Sequence, residues 1–130
     1  MRVPFALKAL THLFKALSDA TRLRIVNVLR TRSLRVGDLQ VVLGLSQPTV
    51  SRQLAILRAA ELVRTERRGT RICYSLSRAP FLNYPLDRFL SEIVLFFPEL
   101  AADERKLADL KEDSVSYSPQ DEEQARLGLA

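Results

Sequence analysis

The chain has 130 residues, 47% of them hydrophobic, which suits one compact domain and is too short for two ordinary ones. The sequence has no run of about 18 apolar residues, so neither a membrane span nor a signal peptide is expected. It has a single cysteine, so no disulfide can form within the chain. A cytoplasmic protein is predicted. The net charge of +5 is unevenly divided: residues 1–78 carry fifteen basic and four acidic side chains, and residues 79–130 carry five and eleven. Such a basic segment is typical of a nucleic-acid-binding unit, although an anionic membrane or an acidic protein would also suit it.

Two helices are predicted before residue 32. Apolar residues at i, i+3, i+4 and i+7 from Leu10 predict a first helix over about 5–17. Ser18 or Asp19 can cap a second helix that runs to about Thr31. Because this second helix has little polar surface beyond its arginines, we expect it to be central to the core.

The next segment has the pattern of a helix-turn-helix. A short helix is predicted over about 36–43, and Gly44 can take the positive φ that ends it. Ser46 is a good N-cap, so a new helix is predicted from Gln47 to about Ala60. Two short helices joined by a tight turn, the second opening with small polar residues, are the local signature of this motif.

The start of the new helix has the side chains that DNA recognition needs. Its apolar residues share one side, so its small and polar residues face outward. Arginine can pair with guanine, glutamine with adenine, and serine or threonine can bond bases or phosphates. We therefore predict DNA contacts from Ser46, Gln47, Thr49, Ser51 and Arg52. The alternative is that they are a helix cap and an ordinary exposed arginine.

A β-hairpin is predicted to follow, with strands over about 62–67 and 71–77 and Gly69 between them. Its tip is rich in arginine and can lie along the phosphate backbone of DNA. Phosphate contacts are predicted from Arg67, Arg68, Thr70 and Arg71. A solvated run of charges is the alternative, but a wing better explains a hairpin that directly follows a helix-turn-helix. Alternation of Ile72, Tyr74 and Leu76 predicts that these residues form the buried face of the second strand and that Cys73 points to the exposed side.

Apolar residues with helical spacing return over residues 86–97, and Pro98 separates them from a second amphipathic segment at about 100–111. This apolar surface exceeds what one core contact needs, so it is predicted to pack against a second subunit, with the first helix contributing. The predicted interface residues are Leu86, Phe89, Leu90, Ile93, Val94 and Phe97. A purely intramolecular core is the alternative. Residues 113–130 are expected to form a mobile tail after a domain of residues 1–112.

Several runs of the chain form a recognisable set: Leu17 to Ile25, Gly44 to Leu54 with Leu57-Arg58, and Gly69-Thr70-Arg71 followed by Tyr74-Ser75-Leu76. Over roughly residues 8–97 they resemble the ArsR/SmtB family of dimeric winged-helix repressors. The resemblance implies a mainly α fold with a small β-hairpin, a winged helix-turn-helix that dimerises through its first and last helices. It also implies a homodimeric repressor that leaves its operator when an inducer, often a metal ion, binds. Twofold symmetry would make that operator an inverted repeat.

The chain departs from the metal-sensing patterns of that family. The thiolate sensors carry Cys-Val-Cys-Asp-Leu at the start of the third helix, where this chain has the run from Arg35 to Leu39, so no soft-metal site is expected. On the last helix Asp87 matches a family ligand position, but Phe89 stands where a histidine would be expected. His12 and Cys73 are too few to hold a metal. No cofactor is predicted, and redox modification of Cys73 is kept as a minority hypothesis.

The residues leave a small set of functions to compare. A winged-helix module that binds protein instead of DNA is the main alternative. A membrane-surface protein is disfavoured because the first helix has few basic residues, and an enzyme is not expected because no catalytic constellation is visible. The predicted partners are double-stranded DNA and a second copy of the chain, without a membrane and with an inducer that the residues do not identify.

Overall fold

The computed structural model describes residues 6–77 and 80–110, giving only the backbone for 80–85, and within those residues it contains six α-helices and one β-hairpin. The predicted mainly α fold with a small β-hairpin is confirmed. A short 3-10 turn, Val94–Phe96, separates the last two helices. The predicted tail of residues 113–130 lies outside the described residues. The elements in chain order are α1 Leu7–Leu17, α2 Ala20–Leu29, α3 Val36–Leu43, α4 Gln47–Ala59, β1 Val63–Arg68, β2 Arg71–Leu76, α5 Pro80–Ile93 and α6 Pro98–Asp109.

Local chemistry sets the start of α2 and the end of α3. Asp19 caps α2, since its carboxylate accepts a hydrogen bond from the backbone N–H of Arg22 at 3.1 Å. Gly44 ends α3 with a φ of +67°, and its N–H donates to the carbonyl of Gln40 at 2.8 Å. Both ends are where the sequence predicts them, because capping depends on the residue itself and on neighbours within one turn.

The core lies where α2 crosses α3 and α4. Every residue of α2 from Ile25 to Leu29 is buried, which confirms the central place predicted for this helix. On α4 the buried side chains are Val50, Leu54 and Leu57, at i, i+4 and i+7. They form one stripe, so α4 packs on the core by one face and leaves the other in solvent.

The hairpin is antiparallel, running in register from Val63 opposite Leu76 to Arg68 opposite Arg71. Its tip contains Gly69 at a φ of +66°. The chain before α3 adds a third, one-residue partner, because the backbone of Leu34 exchanges hydrogen bonds with that of Tyr74 at 2.7 and 3.0 Å.

The exposed position predicted for Cys73 is wrong, since this thiol is only 3% exposed. Alternation fixes which residues share a face of a strand, but it does not say what covers that face. The bridge to Leu34 brings the segment before α3 over β2, and Arg35 and Asp38 come close enough to act electrostatically on the sulfur. Ile72, predicted to lie on the buried face, is instead 43% exposed.

Arginines of the second helix and of the connection after it hold α6 in place. Arg24 forms two hydrogen bonds of 2.8 and 2.9 Å with the carboxylate of Asp103, which is buried. These bonds raise the pKa of Arg24, with burial acting in the opposite direction. Arg32 donates to the carbonyl of Leu107 at 2.9 Å. The last helix is therefore fixed to the core by an ion pair and a hydrogen bond as well as by apolar contacts.

None of the helices described within residues 6–77 and 80–110 combines the length and the hydropathy that crossing a membrane requires.

Replacing Gly44 by alanine is predicted to lower the free energy of unfolding by about 1 kcal/mol. No atom lies within 4 Å of the added Cβ, so the cost comes from the positive φ alone. Gly37→Ala is the matched control, because its Cβ also meets nothing and its helical backbone gains up to about 1 kcal/mol from alanine. Urea unfolding of the two variants should give shifts of opposite sign. Shifts of the same sign would contradict the conformation assigned to Gly44.

Candidate nucleic-acid interface

Polar side chains hold one another in place at the start of α4. The hydroxyl of Ser46 accepts a hydrogen bond from the backbone N–H of Thr49 at 3.4 Å and donates to its hydroxyl oxygen at 2.9 Å. The side-chain amide of Gln47 donates to the hydroxyl of Ser51 at 2.9 Å. The predicted N-cap is therefore present, and the polar groups beside it are ordered before any partner arrives.

The structure brings the predicted α4 residues together on the outer face of that helix. Ser46, Gln47 and Arg52 are exposed, and Thr49 and Ser51 are half-buried. The positive end of the helix dipole lies at the same end, which favours a nearby anion such as a phosphate. This surface can thus meet both base edges and the backbone of a duplex.

The predicted wing residues differ in how accessible they are. Arg67 is exposed, and its Nε donates to the carbonyl of Gly69 at 3.0 Å, which shapes the turn. Arg68 is half-buried and pairs with the carboxylate of Glu66 at 3.3 Å. Thr70 is exposed and Arg71 is half-buried. Of the three arginines predicted to bind phosphate from the wing, Arg67 is therefore the exposed one.

One residue that positions α4 was not found from the sequence. Arg22 donates from Nε to the carbonyl of Ala16 at 2.6 Å and from Nη1 to the side-chain oxygen of Gln53 at 2.9 Å. It thereby joins the end of α1 to the middle of α4. Arg22 and Gln53 are 31 positions apart, and no local pattern signals a contact over that separation.

The residues predicted for a dimer interface fall into two groups. Leu90 and Val94 are buried within the protomer, and Leu86 and Ile93 pack partly against its core. Phe89 and Phe97 are about half exposed. The predicted residues are divided because one side of α5 packs on the core, so only the opposite side of this helix stays in solvent. Other apolar side chains exposed on α1 and after α5 are Leu7, Phe14, Leu95 and Phe96.

Asp87, at which the resemblance implied a metal-ligand position, forms an ion pair. The carboxylate of Asp87 accepts a hydrogen bond from Arg30 at 2.9 Å, and Arg30 also binds Glu104 at 3.0 Å. Over the described part of the chain, no three His, Cys, Asp or Glu side chains gather in a way that could hold a metal ion.

The environment of Cys73 keeps its thiol protonated. Burial raises the pKa of this thiol, and the nearby Arg68 and Arg35 lower it by less. Because the thiolate is the reactive form, the side chain is both shielded and chemically quiet. The redox hypothesis for Cys73 thus has little support from its surroundings.

Comparisons with known proteins point to one family. The sequence model of "Bacterial regulatory protein, arsR family" matches residues 19–65. The chain is 37% identical to the transcriptional repressor SdpR of Bacillus subtilis over 52% of its own length and 76% of SdpR. It is also 37% identical to the HTH-type transcriptional regulator Rv2034 of Mycobacterium tuberculosis, over 67% of this chain and 83% of that one. In other curated relatives the match spans only 48–60% of their length.

A solved structure, HlyU from Vibrio cholerae, is similar with a TM-score of 0.61 and 30% identity, covering 66% of this chain and 92% of that one. The two curated relatives are named as transcriptional regulators and not as enzymes.

The buried thiol of Cys73 should react with a thiol reagent far more slowly in the native protein at neutral pH than in urea. Because its pKa is higher in the folded chain, the unfolded chain loses the proton first as the pH rises. The contribution to stability is thus complete below the unfolded pKa and is lost as the pH rises through the folded value. Urea unfolding at several alkaline pH values should show this decline, and Cys73→Ala should remove it. Fast labelling of the native protein would contradict the burial of the Cys73 thiol.

Proposed function

Because the chain belongs to the ArsR family of bacterial regulatory proteins and has the winged helix-turn-helix fold, we propose that it represses transcription as a homodimer bound to an inverted-repeat operator in double-stranded DNA. The observation that carries this proposal is the solvent-exposed side of α4, where Gln47 begins the helix and Arg52 lies opposite the fully buried apolar stripe. The alternative of a protein-binding module has no comparable observation in its favour.

Base recognition is assigned to the start of α4. Arg52 is exposed and can pair with guanine O6 and N7, and Gln47 can pair with adenine once it exchanges its bond to Ser51. The small side chains of Ser46 and Thr49 leave room for the helix to approach the floor of the major groove. Specificity therefore depends on this helix.

Affinity is assigned in large part to the wing. Arg67 and Thr70 are exposed at the tip of the hairpin and can bind phosphate oxygens. Each phosphate that an arginine neutralises releases counterions, so binding weakens as salt increases. These contacts fix the register of the protein on the duplex without reading its sequence.

Homodimerisation is inferred from apolar side chains that the protomer leaves in water. Leu95 and Phe96 are 84% and 79% exposed, and on α1 Leu7 and Phe14 are 73% and 63% exposed. Monomers seldom expose several large apolar groups without a partner. We assign the partner that covers these side chains to a second copy of this chain, because they lie on the first helix and beside the last two, as expected for a twofold interface.

Two copies of α4 would then lie about 34 Å apart and face successive major grooves. We place this repressor in the cytoplasm, where bacterial DNA is.

Arg52→Ala is predicted to weaken binding to the operator by about 1–3 kcal/mol and to relax its sequence preference, with little change on random duplexes. Arg67→Ala is the comparison, and it should weaken binding to both kinds of duplex and lower the slope of log K against log salt by about one unit. The operator is first obtained by selecting bound duplexes from a random pool. A titration of each variant at several salt concentrations then provides the measurement.

Two outcomes count against the assignment. Equal losses on the operator and on random DNA for Arg52→Ala would remove α4 as the reading element. Failure to select any inverted repeat, with duplex binding indifferent to Arg67→Ala, would favour the protein-binding module.

Phe96→Asp is predicted to convert the dimer into monomers, because a charge would be buried at the centre of an apolar interface. Val41→Asp is the matched control: Val41 is 66% exposed on α3, outside the proposed interface, so its replacement should leave the dimer intact. Sedimentation velocity gives the mass of each variant, and circular dichroism verifies that both fold. A wild-type protein that sediments as a monomer at all concentrations would rule out the dimer.

A further inference from the structure

A groove of about 450 Å³ lies between the end of α2 and the hairpin. Its described lining comes from residues 29–33, from β1 and from the end of β2, and does not include α4. The proposed function assigns no role to it.

The groove has more positive charge than its surroundings neutralise. Four arginines line it, Arg30, Arg32, Arg64 and Arg68. Arg68 pairs with Glu66 and Arg30 with Asp87 and Glu104, so within the described residues the charges of Arg32 and Arg64 have no carboxylate partner. Like charges in one concave space repel each other more strongly than on an open surface, because less water separates them. An anion in the groove would relieve that repulsion.

Two of these arginines have donors that the fold does not use fully. Nε of Arg32 is buried and has no hydrogen-bond partner within the described residues, although its Nη2 binds the carbonyl of Leu107. Arg64 is exposed, and its Nε donates to the hydroxyl of Ser75 at 3.2 Å. A buried donor without an acceptor is costly, so a shift of the Arg32 side chain that brings Nε to a ligand oxygen would stabilise the site.

We propose that this groove binds a small polyanion, an organic molecule with at least two phosphate or carboxylate groups. Guanidinium groups match the oxygens of both in a bidentate geometry, and the polar residues Thr31, Ser33 and Ser75 line the same groove. The volume falls within the range of about 300–1,000 Å³ typical of small-molecule sites. A duplex is a poorer occupant, because Arg30 is recessed with its side chain only 8% exposed, and phosphates on a stiff rod cannot enter the groove individually.

A bound polyanion would also act on the last two helices. Arg30 holds Asp87 of α5 and Glu104 of α6, so an anion that takes its donors competes with both carboxylates. Loosening these helices would disturb the apolar surface beside them, and through it the dimer. This regulatory consequence rests on the proposed function, whereas binding in the groove does not.

The test titrates pyrophosphate and, separately, citrate into the full chain without DNA, by calorimetry at fixed ionic strength. Saturable binding with one site per protomer is expected for at least one probe. Arg64→Ala should weaken it about tenfold or more, the effect of losing one charge-assisted hydrogen bond. Arg32→Gln, checked for folding by circular dichroism, should do the same. Arg88→Ala is the control, since Arg88 is 71% exposed, pairs with Glu92 and lies outside the groove lining, and it should leave the affinity unchanged.

Several results would overturn the proposal. Absence of saturable binding, or an equal loss of probe affinity in Arg88→Ala, would show that the arginines of the groove are only a solvated charge cluster. A loss of duplex affinity in Arg64→Ala without any probe binding would assign the groove to the DNA surface. Probe binding that depends on Arg64 in a protein that selects no operator would support the groove while the proposed function fails.

Discussion

The burial of one face of α4 is the constraint on which the rest of this protein depends. Val50, Leu54 and Leu57 are at most 1% exposed, and burying each such side chain stabilises the fold by roughly 1.5–3 kcal/mol. Rotating α4 about its axis would return them to water, so its polar face is fixed outward. The bond from Arg22 to Gln53 adds a polar restraint on the same helix. The surface proposed to read DNA is thus a consequence of how the core packs.

The uneven charge of the chain has two explanations in the structure. Part of the basic excess in residues 1–78 is exposed on α4 and the wing, as a DNA-binding surface requires. Another part is neutralised internally, because Arg24 pairs with Asp103 and Arg30 pairs with Asp87 and Glu104. The basic and acidic parts of the chain therefore bind each other, and the charge pattern is in part a fold-stabilising feature. Ion pairs of this burial depend on both members, because removing one leaves an uncompensated charge.

The same ion pairs give Asp87 a structural role. Its carboxylate is paired with Arg30, and Phe89 two positions later is about half exposed. The carboxylate thus contributes to joining α5 with α2. A ligand that moves α5 or α6 has to compete with Arg30, which binds carboxylates of both helices.

The sequence by itself determined the elements whose ends depend on near neighbours: α3 over residues 36–43, the Gly44 stop, the Ser46 cap and the hairpin with Gly69 at its tip. The spacing of the apolar residues also predicted the two faces of α4, because positions along one helix fix the directions of its side chains relative to each other. Only the tertiary structure decided that Cys73 is covered, that Leu90 is inside the protomer, and that Arg22 reaches Gln53. Each of these depends on segments far apart in the chain, and a periodic pattern states which residues share a face but not which element lies against it.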